Sequence, residues 1–156
     1  PQIVEGWYGQ PWGRPYYRMG DDVTIMKAIF AREEPVTHDG MEISLPYTGK
    51  GAAGMGKPLK SILHSNRNIP IYLGTGSEST VRLTAEIADG WLPHGFVPGS
   101  LPEFLPWLEE GFTRAGNGKT LDNFEIMALS DHARKWLTYI QAAPWRHSRH
   151  RRHWQQ

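Results

Sequence analysis

The feature that most constrains this chain is the run from Ile69 to Pro93, where strand, turn, helix and strand follow one another without slack. Ile69-Pro70-Ile71-Tyr72-Leu73 is a short apolar run of the kind buried in a parallel sheet, and Gly74-Thr75-Gly76-Ser77 follows it directly. Val81, Ala85 and Ala88, with Leu83 and Ile87 beside them, give Glu78 to Asp89 the apolar stripe of a helix, which Gly90 is placed to end. Gly90-Trp91-Leu92-Pro93 reads as the next strand. Phe104, Trp107, Leu108 and Phe112 mark an amphipathic helix after Pro102, with Pro106 expected to delay its start or kink it. Phe124 to Leu129 is a third strand. Strand alternating with helix at this spacing argues for βα units on a parallel sheet, where the loops after the strands carry function.

Upstream, Met19, Val23, Met26, Ile29 and Phe30 recur at three- and four-residue steps, so Pro15 to Glu34 is expected to be helical, bounded by Pro15 and Pro35. Asp39-Gly40 suits a tight hairpin turn between two short strands in Val36 to Leu45. Tyr47 to Lys57 carries Gly49, Gly51, Gly54 and Gly56 and reads as an irregular loop. After Asp131 the texture changes: the last 25 residues hold no Asp, Glu or Gly, yet carry Arg146, Arg149, Arg151, Arg152, His147, His150 and His153 with three Trp. The chain is therefore divided into an α/β domain at 1–130 and an atypical basic tail at 131–156, read as out of frame or disordered. From Trp145 onward few core contacts are expected.

The 156 residues fit one domain, and 39% hydrophobic content is enough for a core. Lys+Arg 17 against Asp+Glu 16 creates no whole-chain field that would select nucleic acid or an anionic membrane. Without cysteine there is no disulfide framework, thiolate nucleophile or cysteine-ligated zinc, a composition compatible with a reducing cytosol, so a cytoplasmic location is expected. No apolar run is long enough for a membrane span. The opening Pro1, without a signal-peptide layout after it, reads as a truncation.

Three segments together resemble the luciferase-like family, in particular its branch that uses the deazaflavin coenzyme F420. They are Gly6-Trp7-Tyr8-Gly9-Gln10-Pro11-Trp12-Gly13, then Gly56-Lys57-Pro58-Leu59-Lys60, and Ile69 to Gly74 running on to Ala85-Glu86-Ile87-Ala88-Asp89-Gly90-Trp91-Leu92-Pro93. The likeness covers roughly residues 1 to 126. It implies an α/β fold, a partial (β/α)8 barrel of the bacterial luciferase type comprising about strands five to seven with their helices. A whole barrel needs about 250 residues, so the first four strands are expected to lie outside this chain.

A turn from strand into helix offers free backbone N–H groups and the positive end of a helix dipole, which suits a phosphate. Gly74-Thr75-Gly76-Ser77 has that setting, with the Thr75, Ser77 and Ser79 hydroxyls as further donors. The resemblance implies that Thr75, Gly76, Glu78 and Ser79 lie against a cofactor phosphate, which makes Gly74, Thr75, Gly76, Ser77, Glu78 and Ser79 the candidate cofactor-binding residues. Glu78 would repel a phosphate if it pointed inward. The plainer alternative is an ordinary βα turn with a serine N-cap. No catalytic residue is assigned and no metal site is expected. The His147, His150, His153 spacing is weak evidence for a metal, and the tail's Trp and Arg residues could bind nucleic acid only non-specifically.

Trp7 and Tyr8, near a helix end, read as core aromatics rather than the edge of a ring site. His38 and His64 lack partners at catalytic spacing, Lys57 and Lys60 read as a solvated face, and the Asp21-Asp22 and Glu109-Glu110 neighbours point different ways on their helices. The function implied for the parent is hydride transfer between a small organic substrate and F420. The alternative is a flavin mononucleotide monooxygenase of the same superfamily. A reading of another class is a non-catalytic barrel fragment that self-associates through exposed strand edges.

Overall fold

A computed structural model describes residues 1–93 and 99–127. Its elements are α1 (Gln2–Gly6), α2 (Pro15–Ala31), β1 (His38–Asp39), β2 (Ser44–Leu45), β3 (Tyr72–Thr75), α3 (Glu78–Ile87), β4 (Gly90–Pro93), α4 (Leu101–Ala115) and β5 (Glu125–Ile126). Strands β3, β4 and β5 lie side by side in that order, and both pairings are parallel, as expected for successive βα units. The register sets Tyr72 beside Gly90 and Gly90 beside Glu125, with Leu73, Trp91 and Ile126 forming the next row.

The first strand is Tyr72–Thr75 rather than Ile69–Leu73, for a specific reason. Pro70 has no N–H to give a ladder, and both backbone groups of Ile71 are already engaged. The Ile71 N–H donates to Asp89 Oδ2 at 2.9 Å, and its carbonyl accepts from the Asp89 and Gly90 N–H groups at 2.8 and 3.3 Å. Pairing starts one residue later, so Gly74 and Thr75 are strand residues and the turn shrinks to Gly76-Ser77.

Helix α3 stops at Ile87, with Ala88 already extended, so the expected continuation to Asp89 does not occur. Gly90 is needed in β4 and does not terminate the helix. A Cβ there would lie 2.3 Å from the Tyr72 ring and 2.9 Å from the Glu125 carbonyl. Pro106 does not delay the start of α4, which runs from Leu101 with Pro106 inside it. Pro106 and Pro102, whose carbonyl loses its helical partner there, are both exposed, where water can take up the carbonyl.

The β1–β2 hairpin is antiparallel, pairing His38 with Leu45 and Asp39 with Ser44. Its connection is the longer 40–43 loop, closed by the Gly40 N–H on the Ile43 carbonyl at 3.0 Å, in place of a two-residue Asp-Gly turn. The stretch 46–71 contains no regular element, as its glycines suggest. Of the proposed third strand, Glu125–Ile126 is formed, while Leu129 and the whole 131–156 tail lie outside the described residues.

The core fills the space between the sheet and two helices. Val81 and Ala85 of α3, Trp91 of β4, Leu101, Leu108 and Phe112 of α4, and Phe124 form one buried cluster. Residues alternate across a strand: Thr75, Trp91 and Ile126 face the helices, and Tyr72, Gly74, Leu92 and Glu125 face the other way. That second face corresponds to the inside of a barrel and is only partly covered here, since Gly74 and Glu125 are exposed.

Helices α3 and α4 cross at Ala85 and Gly111, where a Cβ on Gly111 would meet the Arg82 carbonyl at 2.3 Å and Ala85 Cβ at 2.5 Å. Alanine ordinarily stabilises a helix interior by about 1 kcal/mol over glycine. At this position backbone blocks the way, so Gly111→Ala is expected to destabilise the chain by about 1–3 kcal/mol, as overpacking does. Urea unfolding followed by tryptophan fluorescence measures it, and a stabilised variant would show that the helices can separate freely.

Candidate functional site

The two ends of α3 are treated oppositely. At its C-terminus, Lys119 Nζ donates to the carbonyls of Ala85, Glu86 and Ala88 at 2.9, 2.9 and 2.8 Å. Lys27 Nζ, from α2, donates to the Ile87 carbonyl at 2.7 Å and lies 3.7 Å from Asp89 Oδ1. Two ammonium groups therefore occupy the negative end of the helix dipole and satisfy four carbonyls that the helix cannot. Burial, and then the charge of Lys27, pull the Lys119 ammonium below the usual lysine range.

At the N-terminus no side chain takes the equivalent place. Ser77 is the N-cap residue, but its side chain makes no capping bond. Its hydroxyl instead meets Thr80 Oγ1 at 2.7 Å, and the Thr80 hydroxyl contacts the Ser77 carbonyl at 3.0 Å. The serine cap of the plainer alternative is thus present in sequence position and absent in bonding, so no side chain caps the first-turn N–H groups. Gly76 stands at the mouth of this turn with nothing within 4 Å of where a Cβ would be.

The six candidate residues divide accordingly. Gly76, Ser77, Glu78 and Ser79 are exposed at the end of β3 and the start of α3. Gly74 is exposed within the strand. Thr75 is withdrawn: it is buried, its hydroxyl meets Thr84 Oγ1 at 2.8 Å, and its carbonyl accepts the Trp91 indole N–H at 2.9 Å. It positions the turn rather than offering the donor expected of it. Glu78 is drawn along the helix into an ion pair with Arg82, which also reaches Glu110 Oε2 at 2.5 Å. Its carboxylate is thereby committed to Arg82.

Other sequence candidates separate from this site. Trp7 and Tyr8 are exposed at 82% and 69%, so they are not the core aromatics expected. Lys60 Nζ is engaged by the Glu33 carbonyl at 3.0 Å, and Lys57 is exposed. His64 meets Arg32 at 2.8 Å. His38, expected to lack a partner, has one: its Nε2 lies 3.0 Å from Asp21 Oδ1. Asp89 joins Ile71, just before β3, to the start of β4 and to Lys27 of α2. Among the described residues no group of side chains could hold a metal ion, and no helix is long and apolar enough to cross a membrane.

Three arrangements carry no signal in the sequence. Lys27, Lys119 and the helix end they serve are brought together only by folding, since Lys119 is 34 residues from Ala85. The Asp21–His38 contact spans 17 residues of helix and irregular chain. The third is the Tyr72 hydroxyl donating to Glu125 across Gly90 on the barrel-side face. That bond to a carboxylate, with burial, pushes the Tyr72 hydroxyl up to about 12.

The luciferase-like monooxygenase family model matches residues 1–133. A Mycobacterium tuberculosis protein, named as a candidate coenzyme F420-dependent oxidoreductase, is 46% identical over 131 residues, covering 83% of this chain and 38% of the relative. The coenzyme F420-dependent tetrahydromethanopterin reductase of Methanopyrus kandleri superimposes with a TM-score of 0.59 at 19% identity, over 83% of this chain and 38% of that one. An F420-dependent secondary alcohol dehydrogenase, solved with an F420-acetone adduct, gives 0.60 at 18% identity, over 80% and 34%. The likeness to these two structures establishes the fold, and the chain spans well under half the length of each relative.

Replacing Lys119 by Met keeps the aliphatic stem and removes the ammonium from three carbonyls. We expect a loss of about 1–3 kcal/mol, the range for unsatisfied buried acceptors, read by urea unfolding. Faster amide exchange in α3 is expected with it. Unchanged stability would show that water replaces the ammonium at no cost.

Proposed function

The chain belongs to the luciferase-like monooxygenase family, and on that premise we propose that it contributes strands five to seven and the phosphate-holding turn of an oxidoreductase that uses coenzyme F420. The reaction is transfer of a hydride between a small organic substrate and the deazaflavin. The observation that carries this reading is the N-terminus of α3: a helix start without a side-chain cap, a glycine with free space before it, and an acidic side chain paired with Arg82. The F420-dependent naming of the mycobacterial relative supports the choice of cofactor.

The residues present fit an anionic group. Backbone N–H groups of the first turn and the Ser79 hydroxyl would hold the phosphate, while Gly76 lets it approach the backbone closely. Thr75 fixes the height of the turn through its bonds to Thr84 and Trp91. When bound, the deazaflavin supplies the hydride chemistry, and the protein supplies binding and orientation. Among the described residues β3 and β5 each pair on one side only, so their outer edges are where further strands or a second copy would add.

The test is a titration with F420 and, separately, with flavin mononucleotide, following cofactor absorbance. The proteins are this chain and a chimera in which its family region replaces the matching segment of the mycobacterial relative. A Cβ at Gly76 meets nothing within 4 Å, so the fold should survive Gly76→Val while cofactor affinity in the chimera falls by roughly tenfold or more, the scale of a lost charge-assisted contact. Glu78→Lys should leave binding unchanged or tighten it, at a cost of about 0.3–0.5 kcal/mol for the lost pair with Arg82. Equal affinity of Gly76→Val and parent for both cofactors would make the turn merely structural. Preference for flavin mononucleotide would move the assignment to the monooxygenases.

A further inference from the structure

The hairpin at residues 38–45 is attached to the rest of the molecule in an unusual way. None of its residues is fully buried, and the buried cluster includes none of them. Its ladder is two residues on each side, too short to be stable alone. It is held by polar bonds, most of them to one carboxylate. Asp21 Oδ2 accepts the N–H groups of Glu42 and Ile43 at 2.8 and 2.9 Å, and Oδ1 meets the His38 ring at 3.0 Å. Arg14, just before α2, adds an ion pair to Glu42 at 2.5 Å and a bond to the Met41 carbonyl at 2.8 Å. Gly40 packs against the same carboxylate, where a Cβ would come within 2.2 Å of Asp21 Oδ1.

The latch is separate from the bond that joins α2 to α3. Lys27, in the second half of α2, bonds the Ile87 carbonyl at the C-terminal end of α3, whereas Asp21 lies near the middle of α2 and Arg14 just before it.

We propose that residues 38–45 form a strap that opens as a unit while the sheet, α3 and α4 stay folded, with the Asp21 carboxylate as its latch. Local opening is expected where a segment has few buried apolar contacts and a small set of polar ones. Every bond that Asp21 accepts requires its charge or a lone pair that protonation weakens. Burial favours the neutral acid, but donation from the Glu42 N–H, His38 and the Ile43 N–H outweighs it, and the Asp21 carboxyl sits below its ordinary value. A folded-state value below the unfolded one gives stability that is present above the unfolded value of about 3.9 and is lost as pH falls through the folded one. The charged groups facing this carboxylate are His38 from β1 and Glu42 from the loop, with Arg14 behind Glu42. The Asp22 side chain on the same helix is directed to Arg18, at 3.9 Å.

Amide hydrogen exchange of the chain tests this directly. As pH is lowered from 6 toward 3, the Glu42 and Ile43 amides should lose protection before the Val81 and Ala85 amides of α3. At neutral pH, Asp21→Asn should speed exchange at Glu42 and Ile43 by roughly tenfold or more and leave α3 unchanged. Gly40→Ala, which drives a methyl group into the carboxylate, should reproduce the effect. Loss of protection at all four amides together, in the parent acid series or in either variant, would overturn the proposal. So would Glu42 and Ile43 amides that stay protected in both variants. The acid series on the unmodified chain decides the matter if a variant fails to fold.

Discussion

The fold depends on finding a partner for one indole N–H. Trp91 is fully buried in the middle strand, and a buried donor without an acceptor costs about 1–3 kcal/mol. The acceptor is the Thr75 carbonyl, the last backbone oxygen of β3, at 2.9 Å. This bond ties the C-terminal end of one strand to the centre of the next. The Thr75 hydroxyl, engaged with Thr84, ties the same residue to α3. Strand, strand and helix thereby share one anchor, and the Gly76-Ser77 turn emerges from it at a fixed place. The aromatic contacts of Trp91 with Phe104, at 5.0 Å between centroids, extend the anchor to α4.

Residues whose neighbours are close in sequence were legible. The strand at Gly90–Pro93, the helix starts at Pro15 and Glu78 and the parallel arrangement all follow from apolar period and turn residues. Boundaries were read wrongly where a distant group competes for the backbone. Asp89 takes both backbone groups of Ile71 and delays β3, and two lysines satisfy carbonyls where α3 stops, so no glycine cap is required. Gly40 and Gly90 were read as glycines wanted for backbone conformation, yet each is small because a side chain passes over it, Asp21 in one case and Tyr72 in the other. Such crowding has no local signature. The same holds for the site: the exposed turn could be read from glycine and hydroxyl spacing, whereas the withdrawal of Thr75 and the capture of Glu78 by Arg82 depend on neighbours.

The barrel-side face shows a second consequence of crowding. Gly90 lies in register between Tyr72 and Glu125, and the absence of its side chain lets these two meet across the middle strand. A neutral phenol donating to a carboxylate is the arrangement a closed barrel would tolerate, because the pair leaves one charge to be solvated rather than two. The raised Tyr72 value of about 12 extends to higher pH the protonated state that a phenol already holds in the neutral range. The pair lies at the N-terminal ends of the strands, away from the turn, on the side of such folds associated with stability rather than reaction.

The polarity of α3 links these features to the cofactor assignment. A helix dipole is worth about 0.3–1 kcal/mol to a charge at either end, and more where water is partly excluded. If α3 served packing alone, its N-terminus would gain from a serine or acidic cap as much as its C-terminus gains from lysines. The sequence supplies both Ser77 and Glu78 there, and the structure directs both elsewhere, to Thr80 and to Arg82. Meanwhile Lys27 and Lys119 add two positive charges at the far end, where they complement the helix without approaching the turn. The positive pole thus has no side-chain cap on a face that bears glycine and small hydroxyls, a setting in which helix N-termini can take up anions.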